Sequence, residues 1–174
     1  FSKNMGFETF NNNRSTRLYK LIEEKKELDY NEFKKIKYDN SLPNPLSYSW
    51  MDINALFDID PNKYPEISNI LNQIQKWDRK TDINSYGAGA YAIFYVKTRK
   101  YYRKLPEPKI FPKTFLIEAL KDTKQHMLKF FGKEKVKLGE FQKLVRGSKE
   151  IPIFGLRDVI TAMSSIPYKN GKTR

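Results

Sequence analysis

Apolar residues recur at three- and four-residue spacing along much of the chain, the mark of helices that bury one face. The clearest run is Ile67, Ile70, Leu71, Ile74 and Trp77, which predicts a helix from about Tyr64 to Trp77. Phe115, Leu116, Ala119, Leu120, Met127, Leu128 and Phe131 predict another from Thr114 to Phe131, with Gly132 as its stop. Between them, Ser85 to Lys104 carries small residues first (Ala88, Ala90, Ala92) and bulky ones later (Ile93, Phe94, Tyr95, Val96). That apolar run suits helix or strand by period alone, and its length favours a helix packed closely at one end. Nearer the start, Leu18, Leu21 and Ile22 with the Glu/Lys-rich Glu23 to Glu27 read as a helix. Asp29 and Glu32 have capping-box spacing, so the next helix presents Phe33 and Ile36 on one face until the prolines of Leu42 to Pro45 end it.

The flanks are less regular. Phe1 to Phe10 has no clear period, and Asn11, Asn12 and Asn13 favour a turn or a helix start. Asp78 to Asn84 is a polar connection, and Pro106, Pro108 and Pro112 mark a loop. From Val136 onward the character changes. Val136 to Gly147, Ile151 to Gly155 and Val159 to Met163 are short apolar pieces between Gly and Pro, expected to be extended or briefly helical and without partners in the chain. No internal repeat or low-complexity tract is present. The expectation is a mainly α, partial single domain over 1–174, with a helical region at 1–135 and a distinct segment at 136–174.

Composition narrows the chemistry. The 174 residues hold 33 Lys+Arg against 20 Asp+Glu, a formal charge of +13. With no Cys, a disulfide scaffold, a Cys-based zinc site and a thiol nucleophile are excluded. A single histidine, His126, leaves little for His-based metal sites or triads. No apolar run approaches the roughly 20 residues of a spanning helix. The chain begins with Phe1, without a secretory signal pattern, and reads as an excised or processed piece.

Candidate constellations are sparse. Lys97, Arg99, Lys100, Arg103 and Lys104 interleave with Tyr101 and Tyr102, the ingredients of a phosphate-backbone or single-strand face. The competing reading is a solvated helix end whose cations suit the C-terminal dipole, and it is favoured because no nucleic-acid motif accompanies the cluster. His126 has Asp122 four residues before it, a common surface pair, so a structural role is expected. Asp52, Asp58 and Asp60 lack the glycine turn of a calcium loop and read as turn or helix-start residues. Gly87 and Gly89 have neither the preceding strand nor the lysine of a phosphate loop and are read as helix-packing positions. Ser164 and Ser165 have no base at recognisable spacing. No complete active site emerges.

Three stretches in order carry a resemblance. The first is Asn11-Asn12-Asn13-Arg14-Ser15-Thr16-Arg17-Leu18-Tyr19-Lys20-Leu21-Ile22, continuing to Leu28-Asp29-Tyr30-Asn31-Glu32-Phe33. The second is Trp77-Asp78-Arg79-Lys80-Thr81-Asp82-Ile83-Asn84-Ser85-Tyr86-Gly87-Ala88. The third runs Leu138-Gly139-Glu140-Phe141, Leu144-Val145-Arg146-Gly147 and Ile151-Pro152-Ile153-Phe154-Gly155. Together they resemble the β-subunit of the penicillin acylase family, N-terminal nucleophile hydrolases that include acyl-homoserine lactone acylases. The resemblance implies the helical middle part of a four-layer αββα sandwich, with closing strands beyond Arg174.

It also implies serine chemistry on a linear amide, with the catalytic serine as the first residue of the β-subunit. Phe1 is not that serine, and no Asn-x-x-Pro turn supplies the family's oxyanion asparagine. Arg14 matches the family arginine that helps organise substrate and nucleophile. The family's calcium-binding aspartate would fall near Lys3, and lysine cannot ligate calcium, so no cofactor or metal is expected in this piece. Implied partners are the α-subunit and the rest of the β-subunit, with a small-molecule amide as substrate, no membrane span, and a periplasmic or otherwise exported location. The piece alone is expected to be inactive. The alternatives are a basic helical module for nucleic acid, or a protein-interaction domain.

Overall fold

Three helix starts in this chain are set by side chains, Asn12, Asp29 and Ser85, that satisfy the first free backbone N–H groups. The computed structural model describes residues 11–23, 25–48, 51–106, 110–161 and 171. Asn12 accepts from Ser15 N at 2.9 Å, and Ser15 Oγ answers Asn12 N at 2.9 Å, which starts α1 (Asn13–Ile22). Asp29 and Glu32 form the expected box at the head of α2 (Tyr30–Lys37). Helix α1 lies earlier than the 18–27 reading, because the Asn12 cap fixes its start and it ends at Ile22. Phe33 does not share a buried face with Ile36. Ile36 is buried and Phe33 is 56% exposed, because a two-turn helix touches the body along only one line.

After the cis Asn44–Pro45 peptide, the chain makes two 3₁₀ turns, Asn54–Asp58 and Pro61–Lys63. Helix α3 (Ser68–Gln75) is shorter than the 64–77 apolar pattern, since residues 65–67 form a turn. Its stripe nonetheless performs as expected: Ile67, Ile70, Leu71, Ile74 and Trp77 are all buried. Helix α4 (Tyr86–Tyr102) is capped by Ser85, whose Oγ accepts from Ala88 N at 3.1 Å. Helix α5 (Lys113–Phe131) ends at Gly132, left-handed at φ +67°. Helix α4 lies at the centre, against α3, α5 and the short α6 (Leu138–Phe141). Tyr91, Ile93, Phe94, Leu116, Leu120 and Met127 fill the space between the helices.

The segment after Val136 is not without partners, as its short apolar pieces suggested. Strands β1 (Lys143–Arg146) and β2 (Lys149–Pro152) form an antiparallel hairpin with Leu144 opposite Ile151 and Val145 opposite Glu150. Gly147, at φ +59°, supplies the turn. Val136, Leu138, Phe141, Leu156 and Val159 then enter the same core as α3–α5. Backbone bonds from Gly155 N to Thr81 O (3.0 Å) and Thr161 N to Asp39 O (3.1 Å) stitch the segment back onto earlier chain. The described structure is thus mainly helical with one two-stranded sheet. Residues 1–10 and 162–170, with Lys3, Met163, Ser164 and Ser165, lie outside the described residues.

Candidate functional site

Arg14 sits in the first turn of α1, and its neighbours hold it there. Its Nε donates to Val159 O at 3.1 Å, while the residue itself is exposed. Its terminal nitrogens make no hydrogen bond to a described residue. The preceding Asn13 is fully buried. Asn13 N and Nδ2 each donate to Asp158 Oδ2 at 3.2 Å, and Asn13 Oδ1 accepts from Ser47 N at 2.6 Å. Burying an amide without such partners would cost about 1–3 kcal/mol. Asp158 adopts a left-handed φ of +69°, an uncommon conformation for a residue with a side chain. One turn on, Arg17 grips Asp39 with two nitrogens, Nε to Oδ1 at 3.1 Å and Nη2 to Oδ2 at 2.8 Å. That carboxylate raises the Arg17 pKa further above its already high value. Thr161 Oγ1 bonds Lys37 O and Asp39 O, so residues 158–161 tie down both α1 and α2.

Behind this cluster lies a buried aromatic group. Tyr48 follows Ser47, and its hydroxyl meets the Tyr91 hydroxyl at 2.7 Å. Tyr48 stacks against Tyr95 with centroids 5.4 Å apart, and Tyr91 against Trp77 at 5.0 Å. Burial pushes the phenols of Tyr48 and Tyr91 well up and that of Tyr95 up to about 12. All three therefore stay protonated near neutrality and act as hydrogen-bonding groups rather than bases.

The Trp77 to Ala88 stretch is a brace. Trp77 Nε1 donates to Lys80 O at 2.6 Å, and Thr81 N and Oγ1 both donate to Asn40 O. Arg79, at φ +66°, lays its guanidinium 3.6 Å over the Phe57 ring, and burial lowers its pKa. Its Nη1 is buried with no partner among the described residues. The brace therefore holds the 39–42 chain, and through Asp39 the end of α1.

The other sequence candidates separate from this cluster. His126 is buried, with Nε2 donating to Gly171 O at 2.7 Å and its ring 4.7 Å from Phe130. Asp122 serves Tyr101 (2.9 Å) and Lys100 (2.5 Å) rather than His126. Tyr101 of the basic cluster is buried and Tyr102 half-buried, so they do not form a stacking platform beside Arg99, Lys100, Arg103 and Lys104. Asp52 and Asp60 receive backbone N–H groups in local turns. Gly87 and Gly89 lie inside α4 and admit Trp77 and the 136–138 backbone to close contact, as packing glycines do. Among the described residues no group of three His, Asp or Glu converges to hold a metal ion, and no helix is long and apolar enough to cross a membrane. Asn13, Asp158, Ser47 and the Tyr48–Tyr91 pair were not singled out from sequence. The asparagine run hinted at a cap, but nothing local signals that residue 13 would be buried against residue 158.

No known protein-family model matches the chain, and no curated protein matches it either.

Proposed function

We propose that the chain is the helical middle part of the β-subunit of a penicillin acylase-like amidohydrolase acting on a linear acyl-amine or acyl-homoserine lactone amide. The observation that carries this reading is Arg14: exposed, tethered through Nε to Val159 O, braced by the buried Asn13–Asp158 pair, with its terminal nitrogens bonded to no described residue. A guanidinium anchored at one nitrogen keeps a planar two-donor edge for carbonyl or carboxylate oxygens. In the proposed enzyme that edge orients the substrate and the nucleophile.

The serine comes from another part of the β-subunit. Its Oγ adds to the amide carbon while its own α-amine takes the Oγ proton. The oxyanion is held by backbone N–H and an asparagine amide, the amine leaves with that proton, and water then hydrolyses the ester. The uncovered apolar side chains of α1, α2 and the turn between them support a seat on the remaining subunit surfaces. Leu18, Tyr19, Leu28, Tyr30, Phe33 and Tyr38 are all exposed there. An exported, periplasmic location belongs to the same reading.

Assaying amine release from acyl-amides tests it. The purified 174-residue chain should show no turnover, and in the protein encoded by the whole reading frame Arg14→Ala should lower kcat/KM about 10²-fold. Turnover by the 174-residue chain that survives Arg14→Ala would overturn it.

A further inference from the structure

A solvent-open groove of about 810 Å³ runs between α3, the 77–85 connection and the first turn of α4, far along the chain from Arg14. Its wall is fixed by close packing. A Cβ on Gly87 would lie 2.7 Å from Trp77 Cγ and 2.8 Å from Gln73 O, so α3 and α4 meet here backbone to side chain. Gln73 Nε2 donates to Asn69 O (3.1 Å) and Glu134 O (3.0 Å), which sets the amide orientation and leaves Oε1 buried without a donor among the described residues.

The other lining groups are likewise half used. Asn72 spends Nδ2 on Ser68 O, Asp78 spends Oδ1 on Lys80 N, and Asn84 spends Oδ1 on Lys137 Nζ. That leaves Asn72 Oδ1 and Asp78 Oδ2 as acceptors, and Asn84 Nδ2 with Lys76 and Lys135 as donors, while the buried Gln73 Oε1 lies out of a ligand's reach.

We propose that this groove binds a neutral polyhydroxylated ligand, a saccharide. The donor and acceptor pattern decides the class. A phosphate only accepts, and it would confront the spare oxygens of Asn72 and Asp78. An ammonium only donates, and it would meet Lys76 and Lys135. A hydroxyl does both, so vicinal hydroxyls can bridge carboxylate, amide and ammonium groups together. Charge agrees: in a chain of net charge +13, the groove pairs Lys76 and Lys135 with Asp78 and Asp82 and is neutral. Tyr86, 42% exposed at the rim with Lys137 Nζ 5.9 Å from its ring centroid, offers the aromatic surface that Lys137 leaves open to the apolar face of a sugar ring. The inference does not rest on the acylase reading.

Amide NMR titration of the full 174-residue chain with chitotriose, cellotriose and maltotriose, each to about 20 mM, tests it. The expected result is saturable shifts with at least one trisaccharide, confined to the Asn72 and Asn84 side-chain amides and the Tyr86 and Gly87 backbone. Tyr86→Ala and Asp78→Asn, both at exposed positions, should each raise Kd about tenfold while leaving the melting temperature in place. Three outcomes would overturn it: no saturable shift with any of the three sugars, shifts indifferent to both variants, or the same shifts produced more tightly by inorganic phosphate.

Discussion

Gly89→Ala reverses the sign that helix propensity alone assigns. Alanine in a helix interior is favoured over glycine by about 1 kcal/mol. At Gly89 the added methyl would overlap the Val136 carbonyl oxygen and stand 2.9 Å from Lys137 C and 3.0 Å from Leu138 N. These are backbone atoms, and they cannot rotate aside. Leu138 N is bonded to Ser85 O at 3.0 Å and Gly139 N to Ile83 O at 2.8 Å, so the crossing segment is pinned to the head of α4. Relief requires α4 and the 136–139 segment to separate, which loosens the fully buried Val136 and Leu138. Overpacking of this kind costs about 1–3 kcal/mol, and loosening two buried aliphatics adds to it. After the propensity gain, a net loss of about 2 kcal/mol remains. In urea denaturation followed by helical circular dichroism, with a slope of about 2 kcal/mol/M, the midpoint should fall by about 1 M. A midpoint equal to or above that of the parent chain would refute the close crossing.

Asn13→Ala removes the donor to Asp158 and the acceptor of Ser47 N, and should cost about 1–3 kcal/mol in the same assay. Asn13→Asp sets a second carboxylate beside Asp158 and should be no more stable than the alanine variant at neutral pH. Burial lowers the His126 pKa below the usual value near 6.5, with Lys97 adding to the lowering and the Gly171 carbonyl opposing it. On acidification the unfolded chain therefore takes the proton first, so this part of the stability is whole above about pH 6.5 and is lost as pH falls through the lower folded value. His126→Gln should flatten that part of the stability profile as pH falls below about 6.5, and parallel profiles would contradict it.

The helices that were legible in sequence are those whose apolar stripe is long enough to repeat. Ile67 to Trp77 and Phe115 to Phe131 each place several residues on one face, and all but a few are buried. Helix α4 was read through its length and its small residues, and Gly87 and Gly89 are close-packing positions as expected. Phe33 misled because an apolar residue in a two-turn helix carries no period to say which side faces the body. The segment after Val136 was illegible for a different reason. Its pieces are four residues long, and their partners, Thr81, Asp39 and the opposing strand, are set by tertiary placement. Around Arg14, the resemblance singled out the arginine alone. Its support by Asn13, Asp158 and Val159 was not legible, because those contacts span about 145 residues of chain.

The most direct test of the acylase reading is the encoding frame on both sides of Phe1 and Arg174. The expected result is an upstream serine preceded by glycine at a cleavage point, then an asparagine turn shortly before Phe1, with further strand-forming sequence after Arg174. A frame that opens at Phe1 and closes at Arg174 would contradict it and leave a free-standing basic helical domain.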